Sequence, residues 1–177
     1  VYVAVLDYLG ASDMQAVAAW LVEDAAASNA NWKVLTLHQP PYFTNVGGGS
    51  TRAQMDILVN AIDTAGIDVV FSGHDHAYAR SYPVTAGEQA DGGTVYFICA
   101  ATSPEKDYAV TTNHNIHQIA TNDYNSVYLT VSTTDTSFDV NVWNYDGENH
   151  NLFDSCTITR EVSCSEFGHD NMYQNGY

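Results

Sequence analysis

Apolar residues recur along this chain in two periods, and the change from one to the other divides it. Val1-Tyr2-Val3-Ala4-Val5-Leu6 is an apolar run of strand length. Met14, Val17, Ala18, Leu21, Val22 and Ala25 then follow at spacings of three and four, which puts one apolar face on a helix. Ahead of them, Ser12-Asp13-Met14-Gln15 has the capping-box form and places the Ser12 hydroxyl at the N-cap. Trp32 to Leu37 predicts a second strand. The loop His38-Gln39-Pro40-Pro41-Tyr42 follows, where the prolines lack the donor that a helix or strand needs. Gly47-Gly48-Gly49 prolongs the loop. Thr51-Arg52-Ala53-Gln54 is a second capping box, Met55, Leu58, Val59 and Ile62 mark a helical face, and Gly66 ends it. Ile67 to Phe71 predicts the third strand.

Strand, helix, strand, helix, strand at this spacing is the βαβ pattern of a parallel sheet with right-handed connections. Beyond Pro83 only strand patterns remain: Thr94 to Ala100, Ser126 to Thr130, Ser137 to Trp143 and Leu152 to Thr159. Asn144-Tyr145-Asp146-Gly147 supplies a turn. The expected architecture is α/β, with a βαβαβ first half and antiparallel strands in the second. The irregular stretch from Thr102 to Asn125 is long for a plain connection, which suits a part in a site.

Composition narrows the partners. Five Lys plus Arg stand against 21 Asp plus Glu, a formal net charge of -16. Such a surface repels nucleic-acid phosphates and anionic membranes, so no nucleic-acid surface is expected. No apolar run reaches the roughly 18 residues that a membrane span needs. Hydrophobic residues make up 45% of the 177, enough for a core rather than a disordered chain. Val1 to Leu6 reads as a buried strand without a signal-peptide pattern, and the stretch from Glu161 to Tyr177 shows no clear element. The expectation is a truncated domain over residues 1–160, with 161–177 a tail or the start of a further segment. Cys99 sits in an apolar run and reads as core. Cys156 and Cys164 are close enough in sequence to pair in an oxidising compartment, or to remain thiols.

Three histidines carry the candidate chemistry. His38 follows the second strand at once, and His74 and His76 follow the third after Ser72-Gly73. Ligands of an open parallel sheet gather at the carboxyl ends of its strands, so neighbouring strands deliver these histidines to one edge. In extended backbone His74 and His76 share one side and Asp75 takes the other, with Gly73 giving the chain freedom to turn. Such imidazoles can serve two adjacent metals or chelate one. His114, His117, His150 and His169 lie in polar stretches and read as solvent-exposed.

The motif Ser72-Gly73-His74-Asp75-His76-Ala77-Tyr78-Ala79-Arg80 resembles the closing Gly-His-x-His motif of the calcineurin-like metallophosphoesterases. Its Tyr and Arg make it similar to the purple acid phosphatase branch. Leu35-Thr36-Leu37-His38, with Pro40-Pro41-Tyr42 after it, resembles the preceding motif. The strand before Asp7 and the stretch Asp154 to Thr159 resemble flanking strands of that family.

The resemblance implies an α+β sandwich of the metallophosphoesterase type. It also implies that His38 and His74 bind one metal and His76 the other, the pair being Fe, Zn or Mn in divalent or trivalent form. The implied reaction is hydrolysis of phosphomonoesters or diesters by a metal-activated hydroxide. The remaining family motifs, with their aspartates and an Asn-His pair, do not occur in this sequence. The catalytic residues therefore stay unassigned, and the isolated chain is expected to be inactive. Asp75 either orients a ligand histidine or is solvated, and Arg80 either pairs with a carboxylate or contacts phosphate. Tyr42 and Tyr78 either line the pocket or pack beneath it.

Two other classes fit the same residues: a non-catalytic module holding one metal, and a carbohydrate- or protein-binding β domain that uses the Tyr and Trp of the later strands. Few lysines and many Tyr, Asn and Thr suit a secreted or extracytoplasmic protein.

Overall fold

The computed structural model describes residues 1–44, 52–99, 110, 115–122 and 126–160. The chain runs β1 (Tyr2–Leu6), α1 (Met14–Ala26), β2 (Lys33–Leu37), α2 (Arg52–Ala65) and β3 (Val69–Ser72). There follow β4 (Tyr78–Ser81), β5 (Val84–Thr85), β6 (Glu88–Gln89), β7 (Val95–Cys99) and β8 (His117–Thr121). The last three strands are β9 (Val127–Thr133), β10 (Ser137–Tyr145) and β11 (His150–Thr159).

Six strands form one sheet in the order β1-β2-β3-β7-β4-β8, and three form a second in the order β11-β10-β9. The strands β1, β2, β3 and β7 are mutually parallel, as the βαβ reading of the first half expects. The second half departs from its expected antiparallel form at β7, which pairs with β3 in parallel and inserts between β3 and β4. A short excursion through the β5–β6 hairpin separates β4 from β7, so the chain returns to the sheet edge in the original direction. β4 itself lies within the segment read only as motif and loop. The second sheet is antiparallel throughout.

One face of the six-stranded sheet packs against α1 and α2, where Leu21, Leu35, Leu58, Ile62 and Val70 are wholly buried. The other face packs on the second sheet around Trp32, Val69, Phe97, Phe138, Val140 and Val142. Central strands covered on both sides need apolar residues in both directions, which explains the unbroken run Val95-Tyr96-Phe97-Ile98. The second sheet does not cover β1. Ala4 and Leu6 are buried under the helices, whereas Val3 and Val5 are 59% and 72% exposed on the opposite face.

The N-cap of α1 is Asp13 rather than Ser12. Its carboxylate accepts from the backbone N–H groups of Gln15 and Ala16, at 2.9 and 3.1 Å. A carboxylate outcompetes a neighbouring hydroxyl here because it also suits the positive end of the helix dipole. Thr51, the predicted cap of α2, lies outside the described residues. Gly66 closes α2 with φ 63°, and the Ile67 N–H reaches back to the Ile62 carbonyl at 3.2 Å.

Two clasps join the sheets. At one end Arg160 lies over the Trp32 ring, 4.8 Å from its centre, and pairs with Asp68. Toward the other end, Arg80 grips Asp154 through two nitrogens, at 2.8 and 2.9 Å. The Tyr78 hydroxyl donates to the same carboxylate at 2.5 Å, and Gln118 completes the Arg80 set.

Candidate active site

β2 and β3 are paired neighbours, so the residues following them emerge at one edge. His38 Nε2 lies 3.3 Å from His74 Nδ1, with the two rings edge-to-face and their centres 5.2 Å apart. A backbone bond binds the two loops at the same place, the Gly73 N–H donating to the His38 carbonyl at 2.9 Å. His38 is exposed and His74 half-buried.

The turn that carries His74 and His76 is not extended. His74 has φ 69° and His76 φ 51°, both left-handed, while Gly73 does not adopt a positive φ. This corrects the alternation expected for Gly73-His74-Asp75-His76. Left-handed histidines are uncommon and strained, and such residues persist where surrounding contacts over-determine them. Between them Asp75 is fully buried rather than solvated. Its Oδ2 accepts from the Thr44 backbone N–H at 2.6 Å and from the Thr44 hydroxyl at 3.0 Å.

His76 is half-buried and does not join the other two rings in a cluster. Among the described residues no group of three or more His, Cys, Asp or Glu side chains converges as a metal site. The His38–His74 separation suits a hydrogen bond between rings. It also suits a shared ion, because two nitrogens held at about 2.0–2.1 Å by one tetrahedral centre lie about 3.3 Å apart.

The other sequence-predicted residues take structural places. Arg80 pairs with Asp154. Burial alone would weaken its positive charge, but the carboxylate more than restores it and pushes its pKa up. Desolvation pushes the Tyr78 hydroxyl up, and its bond to Asp154 adds to this. Tyr78 is buried between the sheets, and Tyr42 packs edge-to-face on Tyr96 under the helix-side core.

Two residues escaped the sequence reading. Thr44 gave no signal at all. His117 opens β8 and is buried, not exposed, with Nε2 3.4 Å from the Tyr42 carbonyl. His150 is exposed as expected, in an aromatic group with Tyr128 and Tyr145 on the second sheet. His114 and His169 lie outside the described residues, as does Cys164. Cys99 packs against the inter-sheet core, where burial pushes its thiol up to about 12. Cys156 is a half-buried free thiol.

Desolvation lowers the pKa of His117, against the opposing pull of the Tyr42 carbonyl and Asp75. The unfolded chain therefore binds a proton near pH 6.5 that the folded chain refuses until lower pH. Stability is expected to fall as pH drops below about 6.5. In urea titrations between pH 7 and 5, His117→Gln should show a shallower decline than the parent. An equal slope would remove His117 as its source.

A cavity of about 690 Å3 opens at the opposite edge, by the starts of β2 and β3, lined in part by Trp32, Lys33, Asp68 and Arg160. Its charged groups already have partners: Asp68 accepts from Arg160 and from the Lys33 backbone N–H, Lys33 Nζ donates to the Ala65 carbonyl, and Asp63 accepts from the Ala86 N–H. The histidine edge, with its strained turn and paired rings, is the better candidate for chemistry.

Residues 5–78, which hold the end of β1, all of β2 and β3 and both histidine loops, match the calcineurin-like phosphoesterase family. Purple acid phosphatase 22 of Arabidopsis thaliana is 38% identical over 65 residues, which are 34% of this chain and 15% of that protein. The resemblance to calcineurin-like phosphoesterases, and to a purple acid phosphatase among them, is thus centred on the segment that carries both histidine loops.

Solved structures share the fold. A purple acid phosphatase from yellow lupin (Lupinus luteus) seeds superposes with a TM-score of 0.67 at 13% identity, over 90% of this chain and 30% of its own. An anchor protein of the Plasmodium inner membrane complex gives 0.64 at 13% identity, over 84% of this chain and 42% of its own. PhoD gives 0.55 at 17% identity, over 81% and 33%. The chain therefore spans less than half the length of each of these relatives.

Proposed function

We propose that residues 1–160 form the C-terminal portion of a dinuclear-metal phosphoesterase domain, with His38 and His74 on one metal and His76 on the other. The observation that carries this reading is the 3.3 Å approach of His38 Nε2 and His74 Nδ1 at the ends of two paired parallel strands. The family match over residues 5–78 supports it. His38, His74 and His76 would hold the ions, which when bound would supply Lewis acidity and an activated water for hydrolysis of a phosphate monoester or diester. Imidazole suits Fe, Zn and Mn alike.

The chain's own residues hold the geometry. Gly73 and His38 join the loops through the backbone, and the Arg80–Asp154–Tyr78 clasp fixes β4 two residues after His76. The acidic surface disfavours nucleic acid as a partner. Among the described residues no helix is long and apolar enough to cross a membrane. A secreted or extracytoplasmic setting accords with the purple acid phosphatase relative.

A second reading, a non-catalytic module with one metal, draws on the fact that only two imidazoles meet among the described residues. Turnover distinguishes the contribution of this chain alone. Supplied with Mn²⁺, Zn²⁺ or Fe²⁺, it is expected to hydrolyse an aryl phosphate no faster than His74→Ala/His76→Ala, because three histidines lack the charge-stabilising groups and a bridging carboxylate. Chelator-sensitive turnover lost in the double variant would mean that the site in this chain is complete.

A further inference from the structure

The loop after β2 and the turn after β3 are tied together twice. The first tie is the Gly73–His38 backbone bond. The second is the Asp75 carboxylate, buried and 31 residues distant in sequence from Thr44, whose N–H and hydroxyl both donate to it. We infer that Asp75 is a positioning residue that staples the His38 loop onto the His74–His76 turn through Thr44, and so sets the His38–His74 distance for a metal ion. This rests on the metal-site reading above.

Several features make the second tie consequential. The ties bracket a loop that contains Pro40 and Pro41, whose fixed φ leaves little slack between His38 and Thr44. Gln39, Pro40, Pro41, Tyr42 and Thr44 are all buried, so movement at one end of the loop is transmitted rather than absorbed. The carboxylate is an ionic acceptor, and hydrogen bonds to such an acceptor are roughly twice as strong as neutral ones. Asp75 also sits between the two left-handed histidines. Their strained backbone needs an anchor, and the side chain between them is the one buried against the other loop. The polar floor beneath includes His117, which contacts the Tyr42 carbonyl and feels the charge of Asp75.

The experiment is a Zn²⁺ titration of the full chain by competition with a chelating dye, with thermal melting recorded on each variant. Changing a partner one shell removed from a metal costs about 10–100-fold in affinity. Asp75→Ala should therefore bind Zn²⁺ about 10-fold more weakly than the parent. Thr44→Val, which loses the hydroxyl, should weaken binding in the same direction, while Thr44→Ser should restore it. The double variant Asp75→Ala/Thr44→Val should be no weaker than Asp75→Ala, since the two groups act through one contact.

A purely structural Asp75 would lower the melting temperature and leave the affinity of the folded protein unchanged, and that result would overturn the inference. His38→Ala separates the two levels. If it weakens Zn²⁺ binding while Asp75→Ala and Thr44→Val do not, the staple is wrong and the metal site stands. If His38→Ala binds as the parent does, the metal-site reading fails and the staple with it. Should Asp75→Ala fail to fold, the contrast of Thr44→Val with Thr44→Ser decides alone.

Discussion

His74→Ala is expected to bind Zn²⁺ about 100-fold more weakly than the parent chain in calorimetric titrations at neutral pH. The figure follows from the site having, among the described residues, two imidazoles in mutual reach, His38 and His74. Outer partners of a metal ligand already cost about 10–100-fold when removed, so loss of a ligand itself belongs at the top of that range. Parent affinity should be modest, because neutral imidazoles offer no carboxylate to offset the charge of the ion. His150→Ala, on the outer aromatic group, is the control and should leave binding intact. Equal isotherms for parent and His74→Ala would exclude the pair as a metal site.

The second large effect is on stability. Arg80→Met should destabilise the fold by about 3–5 kcal/mol, because it leaves a carboxylate buried between two sheets without its cation. Both side chains of the Arg80–Asp154 pair are only 11% exposed, so solvent screens them little. Urea unfolding measures the loss as a lower midpoint at unchanged slope. Arg80→Met/Asp154→Leu should recover most of it, since what hurts is the stranded charge rather than the missing bond.

Burial alone would raise the pKa of Asp154, but the bonds from Arg80 and Tyr78 outweigh it and hold the carboxyl below its ordinary value. The contribution of the pair is thus fully present above the unfolded carboxyl pKa, about 3.9, and is lost as pH falls through the lower folded value. A midpoint within about 1 kcal/mol of the parent for Arg80→Met would show the clasp to be unimportant.

Much of this was legible in the sequence because parallel βαβ geometry constrains so much. Once β2 and β3 are neighbours, His38 and His74 must emerge together. The helices announced themselves through a period of three and four: of the six α1 positions the pattern selected, Met14, Ala18, Leu21 and Ala25 are buried, and Val17 and Val22 pack partly buried at the margin. What stayed hidden has physical causes. β4 is four residues long and buried throughout, so no alternation marks it, and Tyr78-Ala79-Arg80 looked like the continuation of a motif. β8 lies inside a stretch without periodicity. β7 looked antiparallel because strands followed it without helices, yet the β5–β6 excursion is enough to return the chain in parallel. At the site, Gly73 seemed the obvious point of backbone freedom, whereas the left-handed residues are His74 and His76. The Thr44–Asp75 contact spans two loops and leaves no local signature.

The uncovered face of β1 has a consequence for the chain in bulk solution. Val1, Val3 and Val5 stand exposed on one side of a strand whose outer edge pairs with no other strand among the described residues. Such a strand is a template onto which another copy can add. Opposing it is a formal charge of -16, which makes every encounter between copies repulsive over the Debye length, about 10 Å at 0.1 M salt. Colloidal behaviour is then a contest between a short-range adhesive edge and a long-range ionic cushion. For this chain by itself the expected outcome is dispersal in dilute buffer and growing association as concentrated salt thins the cushion and strengthens apolar adhesion, which light scattering against salt concentration checks.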